Sequence, residues 1–552
     1  MKSLVCSKQI RDRSHQWLAL TPISKCPRDL QLTINDSNQV HEVFTWLQSS
    51  DTHGLPNSIR LTLQECEDSE LQELIDQVVA EQDLLGENQH KTKTLFQEIA
   101  ARLVALDQVA QADANAGDSP VISTSLLRET YDQLEVNSPL AAPHVLQMLA
   151  IQRTPEAMQS LAEALLASPP SDWQAVGLAL SPLWRANASL IEEFFDALGN
   201  EFVHPATMAV LLDLANYCSR TKRLERHPWA VHRTRLEALL KSVAVRLERL
   251  EEAPQEFGES VEEIQQTLGE SVALTISLCD ALGIIGDKES SDVLKTTLDL
   301  SHRRVQTEAA AALALIGDEV GKSRLIELAA DRVARMRAVA YAEELGFAEE
   351  IDEKLKMPEA LAESELAAWL AGAEQFGFPP TSIELIDSKS LFWPGFDQPQ
   401  SCFLFRYEYH LPDGSMSNVG IAGPCAHSFH TDLANLPLDD IYAAFAGWHV
   451  EHDEIFEVPA TELNLMQRDE LEKLSTVLEA EKIDEQTPIA LAFFLGEIAV
   501  VAHGKREGKE VIAITDGNEL LCYQTSPNPK SMSPDVALCI FRGRKMLRSF
   551  NE

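Results

Sequence analysis

Two spacings of apolar residues divide the chain. Up to about residue 375, apolar side chains recur every three or four positions, the period of a helix with one buried face. From about residue 381 they alternate with polar residues in short runs separated by turns, as in the strands of a sheet. The helical period is clear at Leu71, Leu74, Ile75, Val78, Val79, Leu95, Ile99, Leu103 and Leu106. The pattern predicts a mainly helical protein that ends in an α+β domain.

A seven-residue motif recurs within the helical part. Ala281–Asp287 and Ala312–Asp318 both read A-L-x-x-I-G-D and lie 31 positions apart, and a degraded copy at Ala342–Gly346 places its Gly 29 positions after Gly317. Gly readily takes the left-handed conformation that ends a helix. The Asp that follows can cap the next helix, which in the second copy is predicted at Val320–Leu328. A period near 30 residues predicts stacked helical hairpins.

The second copy of the motif resembles a known repeat family. The pattern R-x-x-x-x-A-A-x-A-L-x-x-I-G-D is similar to HEAT repeats, and more narrowly to the short repeats of phycobilisome-lyase-like proteins. It is carried by Arg304, Ala309, Ala310, Ala312, Leu313, Ile316, Gly317 and Asp318. Over residues 271–346 the resemblance implies an α-solenoid that binds other proteins. It carries over no catalytic residue, because the matching positions serve packing and capping. Similar repeats occur in proteins that attach or detach bilin chromophores, so a lyase-like factor is the alternative.

Weaker copies extend the repeat pattern towards the N-terminus. Between Leu126 and Cys218, helices are predicted to open at Ala142, Asp172 and Pro205, roughly 30 positions apart. Thr154 to Ala167 and Ser189 to Leu198 fit the second helices of these pairs. We therefore predict an α-solenoid of HEAT-like repeats over residues 66–375, with a basic insertion at about 219–250.

The first 65 residues predict a small α+β region. Asp29–Ile34 and Ser58–Leu63 alternate in the manner of strands, and Val40–Leu47 has the spacing of an amphipathic helix.

The C-terminal domain is predicted to span residues 381–552. Phe403–His410 alternates, with Phe403, Phe405, Tyr407 and Tyr409 on one face, and a Pro-Asp-Gly-Ser turn leads into a return strand. Leu436–His449 and Arg468–Ala480 contain helices. These features predict an α+β domain with a largely antiparallel sheet, and further strands are predicted at Glu454–Val458, Ile498–Ala502, Val511–Ile514, Leu520–Tyr523 and Val536–Phe541.

Composition and charge narrow the classes of function. A chain of 552 residues exceeds one ordinary core, so about three domains are expected. The net charge of −40 argues against nucleic acid or an anionic membrane as the partner, because binding phosphates requires an excess of Lys and Arg. Nine Cys without a C-x-x-C pair suit a reducing compartment. We find no signal peptide and no apolar run long enough to span a bilayer, which predicts a cytoplasmic protein.

One segment departs from the acidic character of the chain. Nine Lys and Arg residues lie between Ser219 and Glu251. The segment is either a docking patch for an acidic or phosphate-bearing partner, or a solvated helix whose cations pair with the acidic repeats around it. Under the first hypothesis the residues that contact the partner are Arg223, Arg226, Trp229, Arg233 and Arg235.

A second segment carries groups that bind metals. Thiol and imidazole side chains can hold zinc, and the candidate ligands are Cys425, His427, His430, His449 and His452. Their spacing matches no structural zinc pattern, however. Cys425 beside a His is also compatible with a thiolate nucleophile, and the third alternative is a polar loop without chemistry. The usual phosphate-binding and hydrolase motifs are missing from the sequence.

Together these patterns predict a non-enzymatic scaffold or adaptor that binds another protein through its repeats and needs no cofactor. The alternative is a lyase-like or metal-dependent factor whose chemistry lies between Cys425 and Asp453.

Overall fold

The structure is a computed structural model. It describes residues 36–49, 55–65, 68–81, 85–86, 88–112, 122–170, 172–199, 201, 203–372, 375–412, 414–528 and 530–551. The predicted strand Asp29–Ile34 lies outside the described residues. The chain divides into two compact units, Met1–Leu325 and Ile326–Glu552.

The described part of the first unit is helical. Its helices are α1 (Asp36–Gln48), α2 (Asn57–Glu65), α3 (Asp68–Ala80), α4 (Gln89–Ala112), α5 (Thr124–Asn137), α6 (Ala142–Gln152), α7 (Pro155–Ala167), α8 (Trp173–Leu180), α9 (Ala188–Leu198), α10 (Pro205–Arg220), α11 (Arg233–Glu252), α12 (Val261–Ile285), α13 (Ser291–Leu298) and α14 (Arg303–Leu315). The division between the units falls within α15 (Glu319–Leu328).

One strand predicted in this unit is wrong. Ser58–Leu63 lies in helix α2, where Ile59 and Leu63 are buried and Leu61 between them is 57% exposed. Because Ile59 and Leu63 are four positions apart, they share one face of a helix, whereas a strand would have placed all three on one side. The helix predicted at Val40–Leu47 is confirmed as α1.

The predicted helix starts are confirmed, each with a local cause. Helix α6 begins at Ala142, and α10 begins at Pro205, a residue suited to the first turn because its missing N–H would have no partner there. The carboxylate of Asp172 accepts the backbone N–H groups of Gln174 and Ala175 at the start of α8.

The helices of the first unit pack in alternation. Helices α4, α6, α8, α10, α12 and α14 form a row in which each member packs on the next. Helices α3, α5, α7 and α9 form a second row of the same kind, and α11 packs on both α12 and α13. Contacts therefore run mainly between helices that are first or second neighbours in sequence, as the period near 30 residues requires.

The repeated Gly-Asp pair has the predicted geometry. Gly286, Gly317 and Gly346 follow helix ends with φ of +75°, +80° and +82°, in the left-handed region. The carboxylates of Asp287 and Asp318 each accept the N–H of the second residue after them at 3.0 Å. The motif therefore ends one helix and starts the next.

Two further glycines allow close approach between neighbouring helices. A Cβ on Gly321 of α15 would lie 2.5 Å from the carbonyl oxygen of Ala310 and 2.6 Å from the Cβ of Leu313, both in α14. A Cβ on Gly283 of α12 would lie 3.0 Å from the Cα of Ala312. Even a methyl group is too large at Gly321, so packing requires glycine there.

Helix α12 is apolar enough to qualify by length and composition as a membrane span, in contrast to what we predicted from the sequence. It is the one helix of the described residues that does so, and 61% of the qualifying stretch is buried inside the protein. A mostly buried core helix meets the same criteria, so this helix is weak evidence for a membrane.

The second unit contains helices and two antiparallel sheets. The helices are α16 (Arg335–Leu345), α17 (Glu353–Lys356), α18 (Pro358–Leu370), α19 (Leu438–His449), α20 (Leu465–Ala480) and α21 (Pro534–Asn551). One sheet has the order β1-β2-β3-β4, with β1 (Ser382–Phe392), β2 (Pro399–Leu411), β3 (Gly414–Ala422) and β4 (His427–Ser428). The other has the order β5-β6-β7-β8-β9, with β5 (Ile455–Pro459), β6 (Asp484–Phe494), β7 (Glu497–Arg506), β8 (Lys509–Thr515) and β9 (Leu520–Gln524).

Helices α19 and α21 share one core with both sheets. Leu404 of β2 and Ile514 of β8 belong to this core, while the Phe and Tyr side chains predicted on the opposite face of β2 pack against α18. The other face of the second sheet packs against α20. A Cβ on Gly543 of α21 would collide with the backbone of Ala443, so the two central helices touch at their backbones.

The predicted hairpin and most predicted strands are confirmed, but Val536–Phe541 is wrong because it lies in helix α21. Val536, Leu538 and Phe541 are all buried there, since α21 packs against α19 and against strands of both sheets. A short apolar run that is buried on several sides carries no period, so it fits a strand and a helix equally well.

Candidate functional site

The structure shows which cations of the basic segment the protein neutralises itself. Arg220 of α10 pairs with Asp280 of α12. Arg233, at the start of α11, pairs at 2.5 to 3.0 Å with three carboxylates, those of Glu237, Asp287 and Glu289. These ion pairs support the interpretation that part of the segment is balanced by the acidic repeats around it.

Arg223 is also engaged within the protein. Its guanidinium donates a hydrogen bond of 2.6 Å to the carbonyl oxygen of Trp184 and lies 5.3 Å from the ring centroid of Tyr217. A hydrogen bond and a cation–π contact therefore hold this side chain against the preceding helices.

Trp229 lies in the core rather than at the surface. It is 3% exposed, and its ring meets that of Phe195 of α9 edge to face at 5.2 Å. Nearby, His227 is 5% exposed; its Nδ1 accepts the backbone N–H of Trp229 at 3.3 Å, and its Nε2 lies 3.0 Å from Oδ1 of Asn216. We assign the proton to Nε2, because Nδ1 is an acceptor. Burial lowers the pKa of His227 to about 4, so the ring is neutral at physiological pH.

Part of the basic segment faces solvent. The side chains of Lys222, Arg226, Arg235 and Lys241 are exposed, and Val231 is 82% exposed. Of the five residues predicted to contact a partner, Arg226 and Arg235 are thus accessible. The other three hold the segment in place, and their role in partner binding stays a prediction.

A polar row that we did not predict crosses α10, α12 and α14. Asp213 of α10 accepts a hydrogen bond of 2.7 Å from the hydroxyl of Ser277 of α12, and Asn216 donates to the carbonyl oxygen of Ser277 at 3.1 Å. Arg304 and Glu308 of α14 lie close enough to Asp213 to influence its charge. The signal in the sequence was that Asp213, Asn216 and Arg220 are spaced by three and four positions, which places them on one face of a mainly apolar helix.

Asp213 has an unusual environment. By surface area its side chain is exposed, and charged groups of α12 and α14 lie near it. Loss of hydration raises the pKa of Asp213 to about 6, although the hydrogen bond from Ser277 acts in the opposite direction. Asn216, Ser277 and Glu308 of this row are buried, while Asp213 and Arg304 are exposed.

The predicted metal ligands do not converge on one point as the ligands of a metal site do. Cys425 is 7% exposed in the central core of the second unit, and His427 stacks on Trp448 at 3.6 Å. His449 stacks on Phe396 at 6.2 Å, while Nδ1 of His452 accepts a backbone N–H in an exposed turn. Within the described residues, no group of three or more His, Cys, Asp or Glu could hold a metal ion. The predicted metal site, with His430, gains no support from this geometry.

His427 is the centre of an aromatic cluster. The rings of Trp369, Phe429 and Phe445 surround it at 4.8 to 6.0 Å, in addition to Trp448. Burial, with His430 and His449 nearby, lowers the pKa of His427 to about 4. A neutral ring packed among aromatic groups is a structural element of the core. Because Cys425 is buried in the same core, its thiol has little access to a substrate.

The sequence was also compared with known proteins. No protein-family model matches it, and no curated protein matches it.

Proposed function

We propose that the chain is a non-enzymatic scaffold or adaptor whose helical unit forms a HEAT-like α-solenoid and binds another protein. The observation that carries this proposal is the row α4, α6, α8, α10, α12 and α14, in which each helix packs on the next. Helix pairs stacked in this way bury a continuous core and leave an extended surface on each side, which repeat proteins use for binding.

The polar row across α10, α12 and α14 supports a binding role. The row links three consecutive helices through polar contacts, and its exposed members, Asp213 of α10 and Arg304 of α14, would let a partner contact more than one repeat. The net charge of −40 favours a protein partner over nucleic acid or an anionic membrane. The reducing compartment predicted from the cysteines favours a cytoplasmic location for this function.

The alternative function, a lyase-like or metal-dependent factor, requires an open group of ligands or an activated nucleophile. Between Cys425 and Asp453 the described side chains instead form an aromatic cluster around a neutral histidine. This favours the scaffold.

Native capture tests the proposal. Full-length protein, tagged and expressed at its natural level, is recovered from cell extract, and its mass is measured by light scattering. A scaffold is expected to carry one protein partner in a fixed molar ratio, and that ratio should survive treatment with a metal chelator. Recovery of the chain alone, or with a tightly bound pigment or metal in place of a protein, would contradict the proposal.

A further inference from the structure

We propose that segment 222–232, which we call the basic loop, is the docking surface for an acidic stretch of the protein partner that also carries an apolar side chain. The inference rests on the proposed function and adds the place and chemistry of the contact. The basic loop connects α10 to α11, at the point where the second row of helices is interrupted.

The basic loop is held rigidly from within. Trp229 packs on Phe195 of α9, and His227 continues a chain of polar contacts through Asn216 to the backbone of α12. Leu224 is also buried. Because these anchors fix the loop before a partner arrives, binding requires little further ordering of the chain.

The outward side of the basic loop presents an apolar residue together with cations. Val231 is 82% exposed, and Lys222 and Arg226 are exposed without a carboxylate partner among the described residues. They differ from Arg220 and Arg233, whose charges are balanced by the carboxylates of neighbouring helices. An acidic stretch with one aliphatic or aromatic side chain complements this arrangement, because the carboxylates pair with the cations while the apolar group covers Val231.

Lys222 occupies a position that would suit glycine better. Its φ of +56° is left-handed, and the N–H of Arg223 bonds to the carbonyl oxygen of Cys218 as at the end of other helices. In the described part of the first unit, Arg153 is the other non-glycine residue in this conformation, and its side chain pairs with Asp107 at 3.0 Å. Among the described residues no carboxylate pairs with the side chain of Lys222, which is exposed and so available for a contact outside the chain.

Charge also selects the class of partner. Residues 219–252 contain nine cations and five carboxylates, in a chain whose net charge is −40. Such a small positive area can pair with a few carboxylates, whereas the polyanion field of a nucleic acid would be repelled by the rest of the protein. The acidic surface around the basic loop also repels an acidic segment that binds in a shifted position, so the segment is held at the loop itself.

Peptide selection on the full-length protein tests the inference. A displayed library of 12-residue peptides is selected on immobilised wild-type protein and counter-selected on the double variant Lys222→Glu/Arg226→Glu. The control is Lys241→Glu, a single charge reversal at an exposed site about 12 Å from the start of α11. Two single variants, Val231→Ser and Lys222→Gly, are then tested with the selected peptides. Circular dichroism verifies that every variant is folded.

Peptides that distinguish wild type from the double variant are expected to be rich in Asp and Glu around one apolar residue. Their affinity should fall at least tenfold in the double variant, several-fold in Val231→Ser, and little in Lys241→Glu. Lys222→Gly should weaken peptide binding but stabilise the end of α10. If the lysine served only the structure, its replacement would not weaken binding. Selected peptides without acidic residues, tighter binding of a phosphopeptide or an oligonucleotide, or an equal loss in Lys241→Glu would overturn the inference. Native capture of a partner that does not contact the basic loop would refute this inference alone and leave the proposed function standing.

Discussion

Replacement of Gly321 by alanine tests whether the helices of the first unit are packed as tightly as the structure shows. The added Cβ would lie 2.5 Å from the carbonyl oxygen of Ala310, whereas ordinary van der Waals contact begins at 3.4 Å, so α14 and α15 would have to separate by about 1 Å. Overpacking of this kind destabilises by about 1 to 3 kcal/mol. A gain in helix propensity of up to about 1 kcal/mol opposes it. The upper part of the range is expected, because the obstructing atoms belong to backbone.

Gly269→Ala is the matched control. Gly269 lies inside α12 and a Cβ there would meet no atom within 4 Å, so the same substitution should stabilise the protein by about 0.5 to 1 kcal/mol. The two variants are compared by hydrogen exchange of amides in α14 and α15. A difference of about 3 kcal/mol corresponds to roughly a hundredfold difference in protection. In a stacked array the loss should decrease with distance from α15 and leave α5 to α7 unchanged. Equal protection in the two variants would refute the close packing, and an equal loss over all helices would refute the array.

Gly543→Ala should prevent the second unit from folding, because its Cβ would collide with the backbone of Ala443; a cooperative unfolding transition of that unit at the wild-type midpoint would contradict this. Because the pKa of His227 is lowered to about 4 in the folded state, the unfolded chain takes up its proton first, and stability should fall as the pH decreases from about 6.5 to 4. Urea midpoints in this window should fall less steeply for His227→Gln, and identical slopes would count against a buried neutral ring. A chelator should leave the fold unchanged, and elemental analysis that finds one zinc per chain would reverse the interpretation of the cluster at Cys425 to His452.

The helices could be predicted because their signals are local. The period of apolar residues and the Gly-Asp pairs at Gly286 and Gly317 depend on a few neighbouring positions, and the structure confirms both. Errors arose where a short segment allowed two structures. In Ser58–Leu63 the apolar residues 59, 61 and 63 fit the spacing of two of a strand, and 59 and 63 also fit the spacing of four of a helix. Val536–Phe541 is apolar throughout because it is buried on several sides.

Three strands escaped prediction: β1, β6 and the two-residue β4. Strand β1 lies at the edge of its sheet and is largely exposed, so its apolar positions do not stand out. Strand β6 lies between β5 and β7 but contains Pro488, and the register shifts between Pro488 and Ala490. Proline normally argues against an inner strand, and a bulge is the place where it is tolerated.

The candidate site depended on contacts that are distant in sequence. Residues 213, 216 and 220 meet residues 277 and 280 about 60 positions away, and no local pattern specifies such pairs. The basic segment was recognisable from composition, but its division into paired and exposed cations required the structure. The thiol and imidazole groups near Cys425 suggested a metal site, and only the structure shows that His427 stacks on Trp448 instead.

If the helical unit binds a protein, the partner should leave a footprint on its helices. Hydrogen exchange is measured for the free chain and for the complex recovered by native capture. We expect protection within residues 36–325, on the polar row of α10, α12 and α14 and on segment 222–232. Protection confined to the sheets of residues 382–524, or no change in any helix of the first unit, would contradict it.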